Sequence, residues 1–130
     1  TTLSGFKSQL NMNYRTPNQL FYFGNRFENV HHSRLRIGCS MLNHDLCYNL
    51  HVKESPRCLC GDEVEDAYHY FFVCPLFNQE RINLINSVSA IAPLTLRTIL
   101  YGCEECNIQD NKNIFMAVHK YMSETKRFGN

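Results

Sequence analysis

Four residues of one short segment carry the side chains that bind soft divalent metal ions. They follow the pattern C-x-C-x8-H-x4-C within seventeen residues and are Cys58, Cys60, His69 and Cys74. Three thiolates and one imidazole form the ligand set of a closed, tetrahedral, structural zinc site. Because four protein ligands leave no open position for a substrate, the pattern predicts one Zn²⁺ that stabilises the fold and takes no part in catalysis.

A simpler interpretation is that these are ordinary buried cysteines and a histidine satisfied by protein groups. Free cysteine is among the most buried residue types, so burial alone would explain the three thiols. Order and spacing favour the metal site, because Gly61 permits a tight turn after the first two cysteines and Pro75 follows the last.

The spacing between the last two ligands requires a break in the helix. On an unbroken helix His69 and Cys74 would point about 140° apart, at roughly 100° per residue. Pro75 pushes Cys74 out of the α region and opens the next helix, so the Cys74 sulfur is predicted to lie at an N-cap, where the helix dipole stabilises a thiolate. Glu65 or Asp66, four and three residues before His69, is predicted to bind its second ring nitrogen.

The chain has seven cysteines, an odd number that fits poorly with a fully paired extracellular disulfide framework and favours a reducing compartment. Cys103 and Cys106 form a second close pair with no further Cys or His nearby. Two intervening carboxylates raise thiol pKa values, so we expect a solvent-exposed turn without a metal or redox role. Cys39 and Cys47 are predicted to pack in the core.

The charges are nearly balanced, with thirteen Lys plus Arg against twelve Asp plus Glu and a net charge of +1, which indicates no particular partner. Basic residues nevertheless concentrate around the start of the metal motif. Candidate contacts for nucleic-acid phosphates are Arg34, Arg36, Lys53 and Arg57. An equally weighted alternative is a solvated helix surface on which Arg34 pairs with an acid such as Asp66.

Helical spacing of apolar residues dominates the chain, and few period-two runs of β-branched residues occur. We therefore predict a mainly α fold, a small helical domain with a zinc knuckle. The predicted helices cover residues 24–37, 40–51 with Ser40 as N-cap, 62–73, 76–88, 94–100 and 110–126 with Asp110 as cap. Residues 1–18 are polar and are predicted to be frayed or a linker.

Length and composition predict one domain over residues 1–130, and we expect it to be part of a longer polypeptide. No apolar stretch approaches the roughly 20 residues that cross a bilayer. No Gly-x-Ser-x-Gly elbow, P-loop or glycine-rich dinucleotide turn occurs, so an independent enzyme is the least favoured class.

Three segments together resemble the C-terminal zinc-binding region of non-LTR (LINE-type) retrotransposon reverse transcriptases. They are HSRLRIGCSMLN at 32–43, CLCG at 58–61 and EDAYHYFFVCP at 65–75. The resemblance spans about residues 24 to 85, and the segments 99–102 and 114–128 are less specifically similar to the ends of such reading frames. Many members space the first two cysteines more widely.

This resemblance implies an accessory domain that follows a polymerase and helps it hold RNA or DNA during target-primed reverse transcription. The four family ligand positions fall on the C-x-C-x8-H-x4-C residues, and the catalytic aspartates lie outside the region of resemblance. Implied partners are RNA or DNA and the polymerase portion, without a membrane or a small-molecule substrate, in the cytoplasm and nucleus. The alternative is a structural or protein-interaction domain of the same polypeptide that does not touch nucleic acid; a decayed element without activity is a third possibility.

Overall fold

The computed structural model describes residues 23–129, and within them it is mainly helical, without a strand, as predicted. Its α-helices are α1 (Arg26–Ile37), α2 (Asn78–Ser89), α3 (Leu96–Tyr101) and α4 (Ile108–Thr125). Two π-helical turns, Asp45–Asn49 and His69–Val73, and a 3-10 turn, Pro75–Phe77, complete the set. None of the helices formed by residues 23–129 is long and apolar enough to cross a membrane. The linker predicted over 1–18 lies outside the described residues.

The first and last helices are bounded by local capping interactions. Asn25 and Glu28 form a capping box before α1, with side chain to backbone distances of 2.8 and 3.0 Å, and Gly38 ends α1 in the left-handed region at φ 76°. The helix predicted at 24–37 is therefore present. Helix α4 begins three residues earlier than predicted, because Asn107 rather than Asp110 is its cap and accepts the Asp110 amide at 2.7 Å.

Of the helix predicted at 40–51, only residues 43–49 are helical, and most of these form the π-turn Asp45–Asn49. The Ser40 hydroxyl accepts the Leu42 amide at 3.2 Å and donates to the Asp45 carboxylate at 2.7 Å. These bonds hold a turn where a regular helix was expected. Consequently the regularly spaced leucines of this segment are only partly buried: Leu42 is buried, whereas Leu50 remains 41% exposed.

The helix predicted at 62–73 forms only in its second half. Residues 62–66 are non-helical, because the Cys58 amide donates to the Asp62 carbonyl at 3.0 Å and the Glu65 amide donates to the Pro56 carbonyl at 2.8 Å. The backbone of this acidic segment is therefore bound to the residues that precede it and does not form the first turn of a helix.

All four helices contribute side chains to one hydrophobic core, and so does the π-turn His69–Val73. Tyr70 and Phe71 in this turn are fully buried against Tyr121 of α4, whose hydroxyl donates to the Tyr70 carbonyl at 2.5 Å. Arg81 of α2, itself buried, donates to the carbonyls of Phe71 at 2.9 Å and Cys74 at 2.7 Å. Helices α2 and α4 thereby fix the π-turn that immediately precedes Cys74.

A pair of buried histidines joins α1, α3 and α4. His32 Nε2 lies 2.9 Å from the Ile99 carbonyl and must donate to it, so His32 Nδ1 is an acceptor for His119 Nε2 at 2.9 Å. Burial lowers the pKa of His32 well below 6.5 and that of His119 to about 4, with Arg36 reinforcing both shifts. Glu28, whose carboxylate lies 3.6 Å from His119 Nδ1, acts in the opposite direction.

These histidines predict acid sensitivity of the fold. Because the unfolded chain takes up protons near pH 6.5 and folded His119 only near pH 4, the free energy of unfolding should fall as the pH decreases through this window. His119 alone would contribute a loss of up to roughly 3 kcal/mol once the pH is below its folded pKa. Urea unfolding at several pH values measures this. In His119→Gln, which retains a donor for His32, the dependence on pH should be weaker; equal slopes in the two proteins would contradict the assignment.

Candidate metal centre

The structure brings the four predicted metal ligands together. Their ligand atoms all lie within 4.8 Å of one another. The Sγ atoms of Cys58 and Cys74 are 3.7 Å apart, and Cys60 Sγ lies 3.4 Å from His69 Nε2. Three of the residues are buried and Cys60 is half-buried. A disulfide would need about 2.05 Å between sulfurs, so these are free thiols placed close enough to hold a metal ion.

The first two ligands are presented by a tight backbone turn. The Gly61 amide donates to the Cys58 carbonyl at 3.0 Å, and Gly61 itself takes φ 106°, a conformation that side chains of L residues disfavour. Arg57 donates from its guanidinium to the Gly61 carbonyl at 2.8 Å. The single intervening residue, Leu59, is 92% exposed, so the turn directs the two sulfurs inward and this apolar side chain outward.

The other two ligands are brought together by the π-turn His69–Val73. The Cys74 amide donates to the His69 carbonyl at 2.8 Å, a bond from residue i+5 to residue i that adds one residue to the turn. This extra residue carries Cys74 round to the side of His69, which an α-helix would not do. The predicted break is also present, since Cys74 has ψ 120° before Pro75.

Burial dominates the protonation of the sulfur ligands. It raises the pKa of Cys58 to about 12, and it raises the pKa of Cys74 although a hydrogen bond from the Leu76 backbone opposes it. The predicted stabilisation of a Cys74 thiolate by the following helix is therefore outweighed by desolvation in the metal-free protein. A bound divalent cation would displace these protons and supply the missing countercharge.

The residue that holds the imidazole is Asp62, and the prediction of Glu65 or Asp66 was wrong. Asp62 Oδ2 lies 3.2 Å from His69 Nδ1, which leaves Nε2 directed at the cysteines. Asp66 accepts the backbone amide of His69 at 2.8 Å. The prediction assumed helical spacing, and residues 62–66 are not helical. Only the folding back of this loop places Asp62, seven residues away, beside the ring.

Glu65 instead connects the residues after α4 to the segment 58–74, which carries the four candidate ligands and is called the metal loop below. Its buried carboxylate accepts two hydrogen bonds at 2.7 Å from the Arg127 guanidinium and one at 2.8 Å from the Asn43 amide. This bidentate pair raises the pKa of Arg127. Arg127 also donates to the Met41 carbonyl at 3.0 Å, so the residues after α4 connect two parts of the loop region.

The basic residues proposed for phosphate contact separate into two groups. Arg34, Lys53 and Arg57 are exposed. Lys53 donates to the Asn43 side chain at 3.0 Å, and the ion pairs of residues 23–129 do not include one between Arg34 and Asp66.

Arg36 is buried, so its predicted role in phosphate contact was wrong. Its guanidinium donates to the Leu100 carbonyl, lies 3.1 Å from His32 Nδ1 and stacks 5.3 Å from the centre of the Phe115 ring. The prediction rested on the concentration of basic residues along the sequence, but the face of α1 that carries Arg36 packs against α3 and α4. Arg36 is therefore part of the packing between these helices.

Sequence reasoning missed two residues of this centre, Asp62 and Arg81. Both act through tertiary contacts, Asp62 on the imidazole and Arg81 on the Cys74 carbonyl. The only sequence signal for Asp62 was its place in an acidic run after the first cysteines.

Comparison with protein-family models, with curated proteins and with solved structures finds no match to this chain. The interpretation of the centre accordingly rests on its residues and their geometry.

Loss of the carboxylate beside His69 should weaken metal binding. We expect Asp62→Asn to reduce affinity roughly tenfold, because the amide holds the ring nitrogen less strongly and lowers the basicity of the imidazole. Competition against a chromophoric zinc chelator measures the change. Glu63→Gln removes an exposed carboxylate next in sequence and should bind as the original protein does; equal affinity of the two variants would refute the role of Asp62.

Proposed function

We propose that the four clustered residues bind one Zn²⁺. Zinc at the centre of a tetrahedron, about 2.3 Å from sulfur and 2.0–2.1 Å from nitrogen, requires about 3.8 Å between two sulfurs and about 3.6 Å between sulfur and nitrogen. The corresponding distances are 3.7 Å for Cys58 to Cys74 and 3.4 Å for Cys60 to His69. The agreement of these two distances, in a set of three thiols and one imidazole whose donor atoms all lie within 4.8 Å of one another, is the observation that carries the proposal.

The ion's proposed role is structural. All four coordination positions are filled by protein, and three of the ligand residues are buried, so a substrate would find no position on the metal. The ion would join the turn at 58–61 to the π-turn at 69–73, which otherwise meet through protonated thiols. We assign no catalytic activity to the domain itself.

Removal of the metal should therefore unfold the metal loop or strongly reduce its order. We expect excess chelator to lower the urea midpoint and helical circular dichroism of the metal-loaded protein, and readdition of Zn²⁺ to restore both. Cys74→Ser should reproduce the effect without chelator. Cys39→Ser changes a half-buried thiol outside the cluster and is the matched control. An unchanged urea midpoint in excess chelator would contradict a structural zinc ion.

We further propose that the domain is an accessory module that contacts RNA or DNA for a reverse transcriptase of the non-LTR type. The sequence resemblance supports this, as do three exposed cations flanking the metal loop, Arg34, Lys53 and Arg57. Arg57 is the best placed, because its hydrogen bond to Gly61 holds a guanidinium on the turn that carries two ligands. Planar guanidinium groups suit phosphate recognition.

Nucleic-acid binding of this kind should depend on salt. We expect fluorescence anisotropy with single-stranded RNA and DNA oligonucleotides to show log affinity falling linearly with log salt concentration. Alanine at Arg34, Lys53 or Arg57 should each reduce the slope by about one phosphate contact. Lys112→Ala, an exposed change on α4, is the control. Binding that does not respond to salt, or slopes unaffected by the three variants, would reject this interface.

The second candidate function is a protein-interaction domain of the same polypeptide. Apolar side chains are exposed beside the metal loop, with Leu59 at 92%, Val52 at 69% and Tyr68 at 56%. The net charge of +1 also gives little general attraction for nucleic acid. Capture of the polymerase portion without RNA or DNA, lost in Leu59→Ser, would favour this candidate over the first.

A further inference from the structure

The connection between α3 and α4 contains two cysteines in a closed turn. The Cys106 amide donates to the Cys103 carbonyl at 3.2 Å, the bond from i+3 to i that defines a β-turn. Residues at the two ends of such a turn have Cα atoms less than about 7 Å apart. A disulfide needs about 4.4–6.8 Å, so the backbone already approaches the geometry of a cross-link.

The turn is held in place by Asn111 of α4, which is buried. Its side-chain oxygen accepts the Cys103 amide at 2.7 Å, and its side-chain nitrogen lies 2.9 Å from the Cys103 carbonyl and 3.4 Å from that of Cys106. Gly102 has φ 85°, and a Cβ there would lie 2.6 Å from the same Asn111 oxygen. The two cysteines are thus presented by a rigid support and not by a free loop.

Both thiols are half-buried, in contrast to the exposed turn that the sequence predicted, and they pack against the hydrophobic core. The neighbouring Cys103 thiol is the main cause that raises the pKa of Cys106 to about 11, and burial and the carboxylates of Asp110 and Glu105 act in the same direction. Neither Cys103 nor Cys106 belongs to the metal cluster.

We propose that Cys103 and Cys106 are a redox-sensitive dithiol that forms an intramolecular disulfide by exchange with a low-molecular-weight disulfide such as oxidised glutathione. One thiolate attacks a sulfur of the oxidant, forms a mixed disulfide and releases one glutathione thiolate. The second cysteine thiolate attacks the protein sulfur of that mixed disulfide and releases the other glutathione. In total, two cysteine thiols are oxidised and one glutathione disulfide is reduced to two glutathione thiols.

The acidic surroundings make this exchange slow in both directions at neutral pH. A thiol with a high pKa has little reactive thiolate, and it is also a poor leaving group when the disulfide is later attacked. The rate of oxidation should therefore increase with pH. Once formed, the cross-link should resist monothiols and yield to a dithiol reductant.

The test uses the full chain incubated with oxidised glutathione, followed by alkylation of remaining thiols and mass spectrometry of the tryptic peptide 98–112. We expect this peptide to lose two hydrogen atoms and both alkylation sites. Cys103→Ser should instead trap glutathione on Cys106. A persistent mixed disulfide in the original chain, or full alkylation of both cysteines, would overturn the proposal.

A matched pair of exposed glutamates tests the electrostatic part without altering the fold. Glu105 raises the pKa of Cys106, and its neighbour Glu104 is not among the causes of this shift. We expect Glu105→Gln to accelerate disulfide formation roughly twofold and Glu104→Gln to leave the rate unchanged. Equal rates would contradict the assigned control of reactivity. Because the readout is on peptide 98–112, its outcome is independent of whether the other cluster binds zinc.

Discussion

The convergence of four soft donor atoms from two separate turns is the constraint on which the rest of this structure depends. Thiols 3.7 Å apart in a buried site cannot both ionise without a cation, and burial, reinforced by the neighbouring thiols, raises the pKa of Cys58 to about 12. An ion that replaces those protons gains the full attraction of the thiolates in a poorly solvated site. The binding free energy of the proposed ion would add to the stability of the segment that carries the four residues, which has only short helical turns.

The surrounding contacts show how this constraint reaches the helical core. Arg81 of α2 donates to the Cys74 carbonyl, and Arg127 after α4 clamps Glu65 in the loop between the ligand pairs. In the proposed complex, Zn²⁺ with three thiolates carries one negative charge, which the nearby buried guanidinium of Arg81 offsets. The metal loop and the helices thus form one unit, and substitution of either arginine should alter the geometry of the four candidate ligands.

Features that are encoded within a few residues could be predicted from the sequence, whereas features that depend on tertiary contacts could not. The four ligands and the helix at 26–37 were predictable, because spacing, caps and Gly38 encode them within a few residues. The π-turn His69–Val73 was not, because its added residue is stabilised by the tertiary contacts of Tyr70 and Phe71 and leaves no periodicity of its own. Asp62 was missed and Arg36 was misassigned, because non-helical backbone places the first side chain and helix packing places the second.

The most direct test of the metal centre is X-ray absorption at the zinc edge of protein purified with its native metal and shown to contain one ion per chain. The structure predicts three sulfur ligands at about 2.3 Å and one nitrogen ligand at about 2.0 Å. Substitution of Cys60 by serine should reduce the sulfur count by one. A spectrum dominated by oxygen ligands, or protein that folds fully without any metal, would contradict the account.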